Sequence, residues 1–127
     1  MPIDRPLHGE VLVLDLGKER DRTAEPTILN RNGRNARTLL KEGPLRVTLV
    51  ALAPGGEIAE HQAEGPITVQ PLTGRVRFSA LGRDHDIGPG ELLSAAAGVR
   101  HAVASAEGAV FLLTLAQGKT IERPTSQ

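Results

Sequence analysis

The sequence contains no cysteine, no tryptophan and no tyrosine among its 127 residues, and only two phenylalanines. The absence of cysteine excludes disulfides, thiolate metal ligands and a cysteine nucleophile. With almost no aromatic side chains, the chain also lacks the platforms on which the bases of single-stranded nucleic acids stack. Its core must therefore be built mainly from leucine, valine, isoleucine and alanine.

An excess of one charge and long apolar segments are lacking as well. The 15 basic residues balance 15 acidic ones, so no basic face is indicated and a nucleic acid is not a favoured partner. No apolar run approaches the roughly 20 residues of a membrane span. The N-terminal residues MPIDRP also lack the apolar run of a signal peptide. We therefore expect a soluble, cytoplasmic protein with no membrane partner.

Turn residues are abundant: 14 glycines and 9 prolines interrupt short runs of aliphatic and β-branched residues. Such a pattern is typical of an all-β sandwich or barrel. A length of 127 residues suits one domain, and no linker or internal repeat divides the sequence. We predict strands at residues 11–16, 45–53, 67–72, 75–80, 84–87, 92–95, 101–104 and 109–116.

The remaining segments carry weaker signals. Residues 18–36 are polar, and we expect a long loop there with one irregular strand near 27–29; helix would be confined to a turn at 36–41. The strands at 67–72 and 75–80 are expected to form a hairpin. The prediction is thus a single domain over residues 1–127. It has an N-terminal strand and long loop at 1–40, a barrel core at 45–116 and a frayed polar tail at 118–127.

The segment from Gly55 to Gly74 resembles the first cupin motif. That motif reads Gly, five residues, His-x-His, three or four residues, Glu, six residues, Gly. The spacing from Gly55 to His61 fits, and so does the last stretch before Gly74. Ala63 stands where the second histidine is expected, and Ile67 stands where the glutamate is expected. The spacing of the motif is therefore kept, while two of its metal ligands are replaced.

The segment from Gly90 to Ser105 resembles the second cupin motif, which reads Gly, five residues, Pro-x-Gly, two residues, His, three residues, Asn. Gly98 and His101 match, whereas Ala96 replaces the proline and Ser105 replaces the asparagine. Both motifs occur in order and at compatible separation in a short all-β chain. The sequence is therefore similar to a small single-domain cupin of the RmlC-like superfamily, with a degenerate metal motif. The resemblance implies a double-stranded β-helix, or jelly-roll barrel.

In the cupin family, three histidines and one glutamate from the two motifs hold a divalent metal inside the barrel. Histidine and carboxylate together suit iron, manganese, nickel, copper or zinc. Here only His61 and His101 match ligand positions, and a catalytic metal usually has at least three protein ligands. Glu64 is the one nearby carboxylate that could complete the set; a solvated loop residue is its alternative. His61 and His101 are thus the candidate cavity and metal ligands, with Glu64 third, and any metal would be held weakly.

Other side chains with functional potential are arginines and the remaining histidines. An arginine that faced the barrel interior would bind a carboxylate through two parallel hydrogen bonds, whereas the alternative is an exposed strand residue. Four arginines lie on or beside predicted strands: Arg46, Arg75, Arg77 and Arg100. His8 near the terminus and His85 between two aspartates are interpreted as surface residues.

The resemblance leaves three functional classes open. The first is a domain that binds or senses a small molecule in the barrel, with weak or no metal. The second is a metal-dependent enzyme of the dioxygenase, isomerase or decarboxylase type with a reduced ligand set. The third is a metal-independent sugar epimerase that uses histidine as its base, although that class usually pairs the histidine with a tyrosine, which this chain lacks. The cofactor and the catalytic residues stay unassigned.

A homodimer is the expected assembly, because cupins of this size usually pair. Residues 47–52 and 110–115 are apolar on both faces, whereas half-buried strands should alternate. This pattern predicts that strand surface outside the barrel is buried between two copies of the chain.

Overall fold

The computed structural model describes residues 5–117. Strands predominate in it, as expected from the abundance of β-branched and aliphatic residues. Within residues 5–117, two short helices precede nine strands. In chain order the elements are α1 (Leu16–Thr23), α2 (Pro26–Asn32), β1 (Arg34–Glu42), β2 (Leu45–Leu52), β3 (Glu57–His61), β4 (Ile67–Gly74), β5 (Val76–Ala80), β6 (Arg83–Ile87), β7 (Leu93–Ala95), β8 (His101–Ala104) and β9 (Ala109–Ala116). The predicted all-β class is confirmed, and the predicted tail at 118–127 lies outside the described residues.

The strands form two antiparallel sheets with the orders β1-β2-β9-β4-β7 and β3-β8-β5-β6. The links from β2 to β3, from β4 to β5 and from β8 to β9 each cross from one sheet to the other. Sequence neighbours that belong to opposite sheets are typical of a jelly roll. The three crossings close one end of the barrel, where Gly55 N–H donates to the Ser105 carbonyl and Ser105 N–H donates to the Gly56 carbonyl.

The space between the sheets is filled by an apolar core. Phe78 and Phe111 are each 2% exposed, and they pack with aliphatic residues from both sheets. These residues are Val50, Leu52, Ile67, Val69, Val76, Ile87, Ala95, Val103 and Ala109. Because side chains alternate along a strand, Val50 and Leu52 face this core, whereas Leu49 faces the other side of the sheet.

The other face of the five-stranded sheet carries a second apolar core. It is covered by an N-terminal layer, which consists of residues 14–32 with α1 and α2. Leu39, Leu49 and Ala51 are fully buried there, and Leu14 and Leu16 pack against them. The apolar character of both faces of β2 and β9 is therefore explained within one chain. Our argument for a dimer interface from this pattern was wrong, although the homodimer itself stays a prediction.

The two helices replace most of the predicted loop at 18–36. α1 begins after Asp15, whose carboxylate accepts a hydrogen bond from Lys18 N–H. α2 begins after Glu25 with Pro26 in its first turn, and it ends at Gly33, whose φ is 79°. An acidic cap, an N-terminal proline and a left-handed glycine after the last turn are ordinary helix signals. The polar composition of the segment concealed them, because only a narrow stripe faces the sheet.

Several local predictions were also wrong. Residues 11–16 form no strand and lead into α1, while residues 36–41 lie in β1 rather than in a helical turn. β4 and β5 are not a hairpin: β4 pairs with β7 and β9, and β5 pairs with β6 and β8. The sharp change of sheet occurs at Gly74, whose φ is 74° and where a Cβ would lie 2.1 Å from the Gly108 carbonyl oxygen. A glycine is required there by both conformation and space.

No helix within residues 5–117 is long and apolar enough to cross a membrane.

Candidate functional site at the mouth of the barrel

His61 and His101 lie directly opposite each other on the neighbouring strands β3 and β8. Directly opposed residues of an antiparallel pair point to the same face of the sheet. The centroids of the two imidazole rings are 4.3 Å apart, and the ring planes are inclined by 62°. The structure thus brings together the two histidines that the motif spacing singled out.

A β-bulge in β3 gives His61 this position. Ile58 pairs with Val103 and His61 pairs with His101, so three residue steps on β3 match two on β8. Side chains alternate along a regular strand, so residues three positions apart lie on opposite faces. Ile58 and His61 would do so without the extra residue of the bulge. With it, both side chains face the barrel interior, where Ile58 packs against the core. A bulge interrupts the alternation of side chains, which is why β3 was not predicted.

The two imidazoles have different surroundings. His101 is 3% exposed and stacks on the Phe78 ring at a centroid distance of 4.7 Å, whereas His61 is exposed. Burial lowers the pKa of His101 below its usual value of 6.5 and the nearby His61 adds to the decrease, while the hydrogen bond with the Val99 carbonyl opposes it. Burial therefore favours the neutral form of the His101 imidazole.

Each ring is oriented by a backbone carbonyl two residues earlier in the chain. Nδ1 of His61 lies 2.9 Å from the Ala59 carbonyl oxygen, and Nδ1 of His101 lies 2.9 Å from the Val99 carbonyl oxygen. A carbonyl oxygen only accepts, so Nδ1 carries the proton in each neutral ring and Nε2 keeps its lone pair. In this tautomer a histidine can ligate a metal or accept a hydrogen bond from a ligand.

The remaining ligand positions do not fit the family's metal. Ile67, in place of the glutamate, is 5% exposed and packs in the core, and Ala63, in place of the second histidine, packs against the same core. Within residues 5–117, no three His, Cys, Asp or Glu side chains are grouped so that they could hold a metal ion. Glu64 is exposed and forms no such group with His61 and His101. The structure therefore does not support Glu64 as a third ligand.

The four candidate arginines differ in how far they are exposed to solvent. Arg75, Arg77 and Arg100 are exposed, and Arg100 Nη2 lies 3.1 Å from the carboxylate of Glu60 beside the bulge. Arg46 is half-buried on β2. His8 and His85 are exposed, as predicted.

Two grooves of about 240 Å³ lie on the outside of the four-stranded sheet rather than at the histidines. Arg77 borders both grooves, and outward-facing Ala104 also contributes to each. Neither groove includes His61 or His101. Next to the histidine pair, the interior is packed with the apolar core, and Phe78 of that core stacks on His101.

Comparison with protein-family models found no match, and neither did comparison with curated proteins. Many solved structures do match. The protein TT1209 from Thermus thermophilus is 27% identical, with a TM-score of 0.68 over 83% of this chain and 96% of that one. A cupin superfamily protein from Desulfitobacterium hafniense is 20% identical, with a TM-score of 0.65 over 68% of this chain and 80% of that one. This chain has the cupin fold.

The fold is shared with enzymes as well. Salicylate 1,2-dioxygenase from Pseudoaminobacter salicylatoxidans is 16% identical to this chain, with a TM-score of 0.70 over 78% of this chain and 31% of the enzyme. At this identity the likeness shows the fold alone. The fold implied by the two motifs is thus confirmed.

Proposed function

We propose that this cupin binds or senses a small organic molecule at the mouth of its barrel, with weak or no metal. The observation that carries the proposal is the pair of imidazoles held 4.3 Å apart on one face, with His61 exposed and His101 buried. A ligand can approach from solvent along His61 and reach His101 beneath it. Two oriented Nε2 lone pairs then accept hydrogen bonds from its hydroxyl or amino groups.

Binding without metal is favoured over metal catalysis by the donor set. Two histidines leave at least one position short of the three protein ligands usual for a catalytic metal. The position of the missing glutamate is occupied by Ile67, a 5% exposed core residue, so its neighbourhood is apolar. A cation there would lose hydration without gaining a carboxylate.

The second candidate is a metal-dependent enzyme with a reduced ligand set. It is favoured by one observation: both Nδ1 atoms face carbonyl oxygens, which is the arrangement that directs Nε2 toward a metal. His61 and His101 would then be the protein ligands, and water would occupy the other positions. Such an ion would be weakly held because each lost ligand reduces its affinity.

Long-range ¹H–¹⁵N spectra of the imidazoles can separate the two candidates. The protein is titrated with small sugars, amino acids and organic acids, and separately with Zn²⁺ and Mn²⁺. We expect one compound class to shift the Nε2 signals of His61 and His101 together without added metal. The His61→Ala variant should lose this response, and the exposed His8→Ala variant should keep it.

Two results would count against the proposal. Compounds that bind only after a stoichiometric metal has been added would promote the enzyme to first place. A library that shifts neither histidine, in the presence or absence of metal, would remove the histidine pair as a binding site.

We also propose that this cupin forms a homodimer in the cytoplasm. The dimer is supported by exposed apolar residues on the segment before α1, where Val11 and Val13 are 84% and 92% exposed. Light scattering at micromolar concentration should give twice the mass of one chain. A single-chain mass would contradict the dimer.

A further inference from the structure

Arg46 faces the barrel interior from the five-stranded sheet. It pairs directly with Leu115 of β9, and Leu115 packs against the interior core. Since opposed residues share a face, Arg46 points to the same side as Leu115. Strand β1 pairs with the other edge of β2, and there Lys41 is the direct partner of Arg46. Two cationic residues therefore stand next to each other on the inner face of this sheet.

The same inner row continues to the mouth where the histidines lie. Leu115 pairs with Ile67, and Ile67 pairs with Ala95. Residues 62–66 connect His61 to Ile67, and residues 96–100 connect Ala95 to His101. The two loops are tied together, because Gly98 N–H donates to the Ala63 carbonyl. The row with Arg46 therefore lies on one sheet and the histidine pair on the other, and both lie at the same open end of the barrel.

On the four-stranded sheet, the histidine row also ends in a cation. His101 pairs with Ala80 of β5, and Ala80 pairs with Arg83 of β6. The inner face of the four-stranded sheet therefore presents His61, His101 and Arg83 in one row across its strands. Arg83 is exposed at the edge of the sheet.

The inner faces of the strands that the structure describes carry no carboxylate, whereas basic residues such as Arg37 and Arg77 also lie on the outer faces. By register, the charged or imidazole side chains on inner-face positions are all basic: Arg34, Lys41, Arg46, His61, Arg83, His85 and His101. Carboxylates lie on outer-face positions or in the bulge: Glu42, Glu57, Glu60, Asp84 and Asp86. A chain with no net charge thus has an inner surface of one sign, which attracts anions.

Arg46 is also short of hydrogen-bond partners. Its Nε is fully buried without a partner, and the described residues provide no hydrogen bond or ion pair to the rest of its guanidinium group. Arg5 also has one buried unpaired nitrogen, Nη2, but its Nε and Nη1 are bound to Glu19 and to the Leu39 carbonyl. A buried donor without an acceptor is costly, so an acceptor from a ligand would stabilise Arg46.

We infer that the ligand of the barrel mouth carries a carboxylate that Arg46 binds, with Lys41 adding charge and the histidine pair contacting the rest of the molecule. The inference rests on the proposed binding function and specifies its ligand class. A planar guanidinium matches a planar carboxylate through two parallel hydrogen bonds. The outward-facing Arg77, which has no ion pair among residues 5–117, provides a matched control on a neighbouring part of the barrel.

The test uses matched probe pairs: malonate with malonamide, benzoate with benzamide, and inorganic phosphate as a second anion. Each is titrated into the full chain while the Arg46 Nε signal and the His61 and His101 signals are recorded by NMR. We expect a carboxylate, and not its amide, to shift all three signals. Arg46→Gln should weaken binding at least about 10-fold, which is the usual range for a charge-assisted hydrogen bond. Arg46→Lys should bind with intermediate affinity, and Arg77→Gln should bind as the parent does.

The outcomes distinguish this inference from the proposed function. If the amides bind at the histidines as tightly as the acids, the carboxylate assignment fails and the binding function stands. Phosphate binding that equals carboxylate binding would also overturn the assignment. If neither acids, amides nor phosphate shift any of the three signals, the carboxylate assignment is overturned, and the broader compound library then decides the binding function separately. The Arg46 signal of the parent keeps the test valid even if an Arg46 variant fails to fold.

Discussion

Glu19 in the N-terminal layer and His101 at the barrel mouth are both buried titratable residues, with exposed fractions of 5% and 3%. The Glu19 carboxylate has both oxygens bound, Oε2 to Arg5 Nε at 3.1 Å and Oε1 to Arg37 Nε at 2.8 Å. His101 has Nδ1 bound to the Val99 carbonyl just before β8, and within residues 5–117 no partner is provided for Nε2. The fully bound group joins α1 to β1, whereas the half-bound group is held through one ring nitrogen.

The largest effect is expected from removing the charge of Glu19. Glu19→Gln leaves two arginines without their common carboxylate, and Arg5 already has a buried unpaired nitrogen. Breaking such a buried pair from one side should lower the free energy of unfolding by about 3 kcal/mol. Urea denaturation measures the change. Glu107→Gln, an exposed substitution, should be neutral, and equal stability of both variants would show that the ion pair contributes little.

A second test converts the open mouth into a complete metal site. Ala63→His together with Ile67→Glu restores the ligand set that the cupin motif implies. We expect the double variant to be less stable than the parent without metal, because the introduced carboxylate replaces a buried apolar side chain. Zn²⁺ or Mn²⁺ at 100 times its Kd should then raise the stability by about 2.7 kcal/mol.

Thermal melting with and without metal provides the measurement. Adding His101→Ala to the double variant should abolish most of the metal response. A parent protein that gains as much stability from metal as the double variant would contradict our interpretation of Ala63 and Ile67.

The two buried groups should also respond to different ranges of pH. Burial alone would raise the pKa of Glu19, but the hydrogen bonds and charges of Arg5 and Arg37 lower it below 4.5. A carboxylate with a lowered pKa stabilises the fold above its unfolded pKa, and this contribution is lost as the pH falls through the folded pKa. Glu19→Gln should therefore flatten the loss of stability below about pH 4.5.

For His101, burial and the neighbouring His61 lower the pKa below 6.5. The unfolded chain then binds the proton more tightly than the folded chain, so stability is complete above about pH 6.5 and decreases as the pH falls below it. His101→Gln should remove this decrease in stability, while the loss of stability at lower pH that is due to Glu19 remains. Denaturation curves between pH 4 and 8 compare the variants. A parent whose stability rises from pH 7 to pH 5.5 would contradict the direction.

The smallest effect is expected at the surface beside the site. Glu60 and Arg100 are about 61% and 60% exposed, and their ion pair is screened by water. Glu60→Gln should change the free energy of unfolding by no more than about 0.5 kcal/mol. A larger loss, measured by urea denaturation, would show that this pair holds the β3 bulge in place.

The two motif histidines could be found from sequence because their spacing to glycines is local. Gly55 and Gly98, with φ of 78° and 79°, mark turns that place His61 and His101 a fixed number of residues later. Arg46 could be named as a candidate only together with three other arginines. Its inward direction depends on the register of β2 against β9, which hydrophobic alternation cannot show where both faces are apolar.

By itself, the amino-acid sequence determined the all-β class, the aliphatic core, the cupin spacing and the loss of two metal ligands. These follow from residue identity and from distances along the chain. Only the tertiary structure decided that α1 and α2 cover the five-stranded sheet, that β4 and β5 belong to opposite sheets, and that a bulge directs His61 inward. The reason is physical: which face a side chain takes depends on the strand that pairs with it, and that strand is distant in sequence.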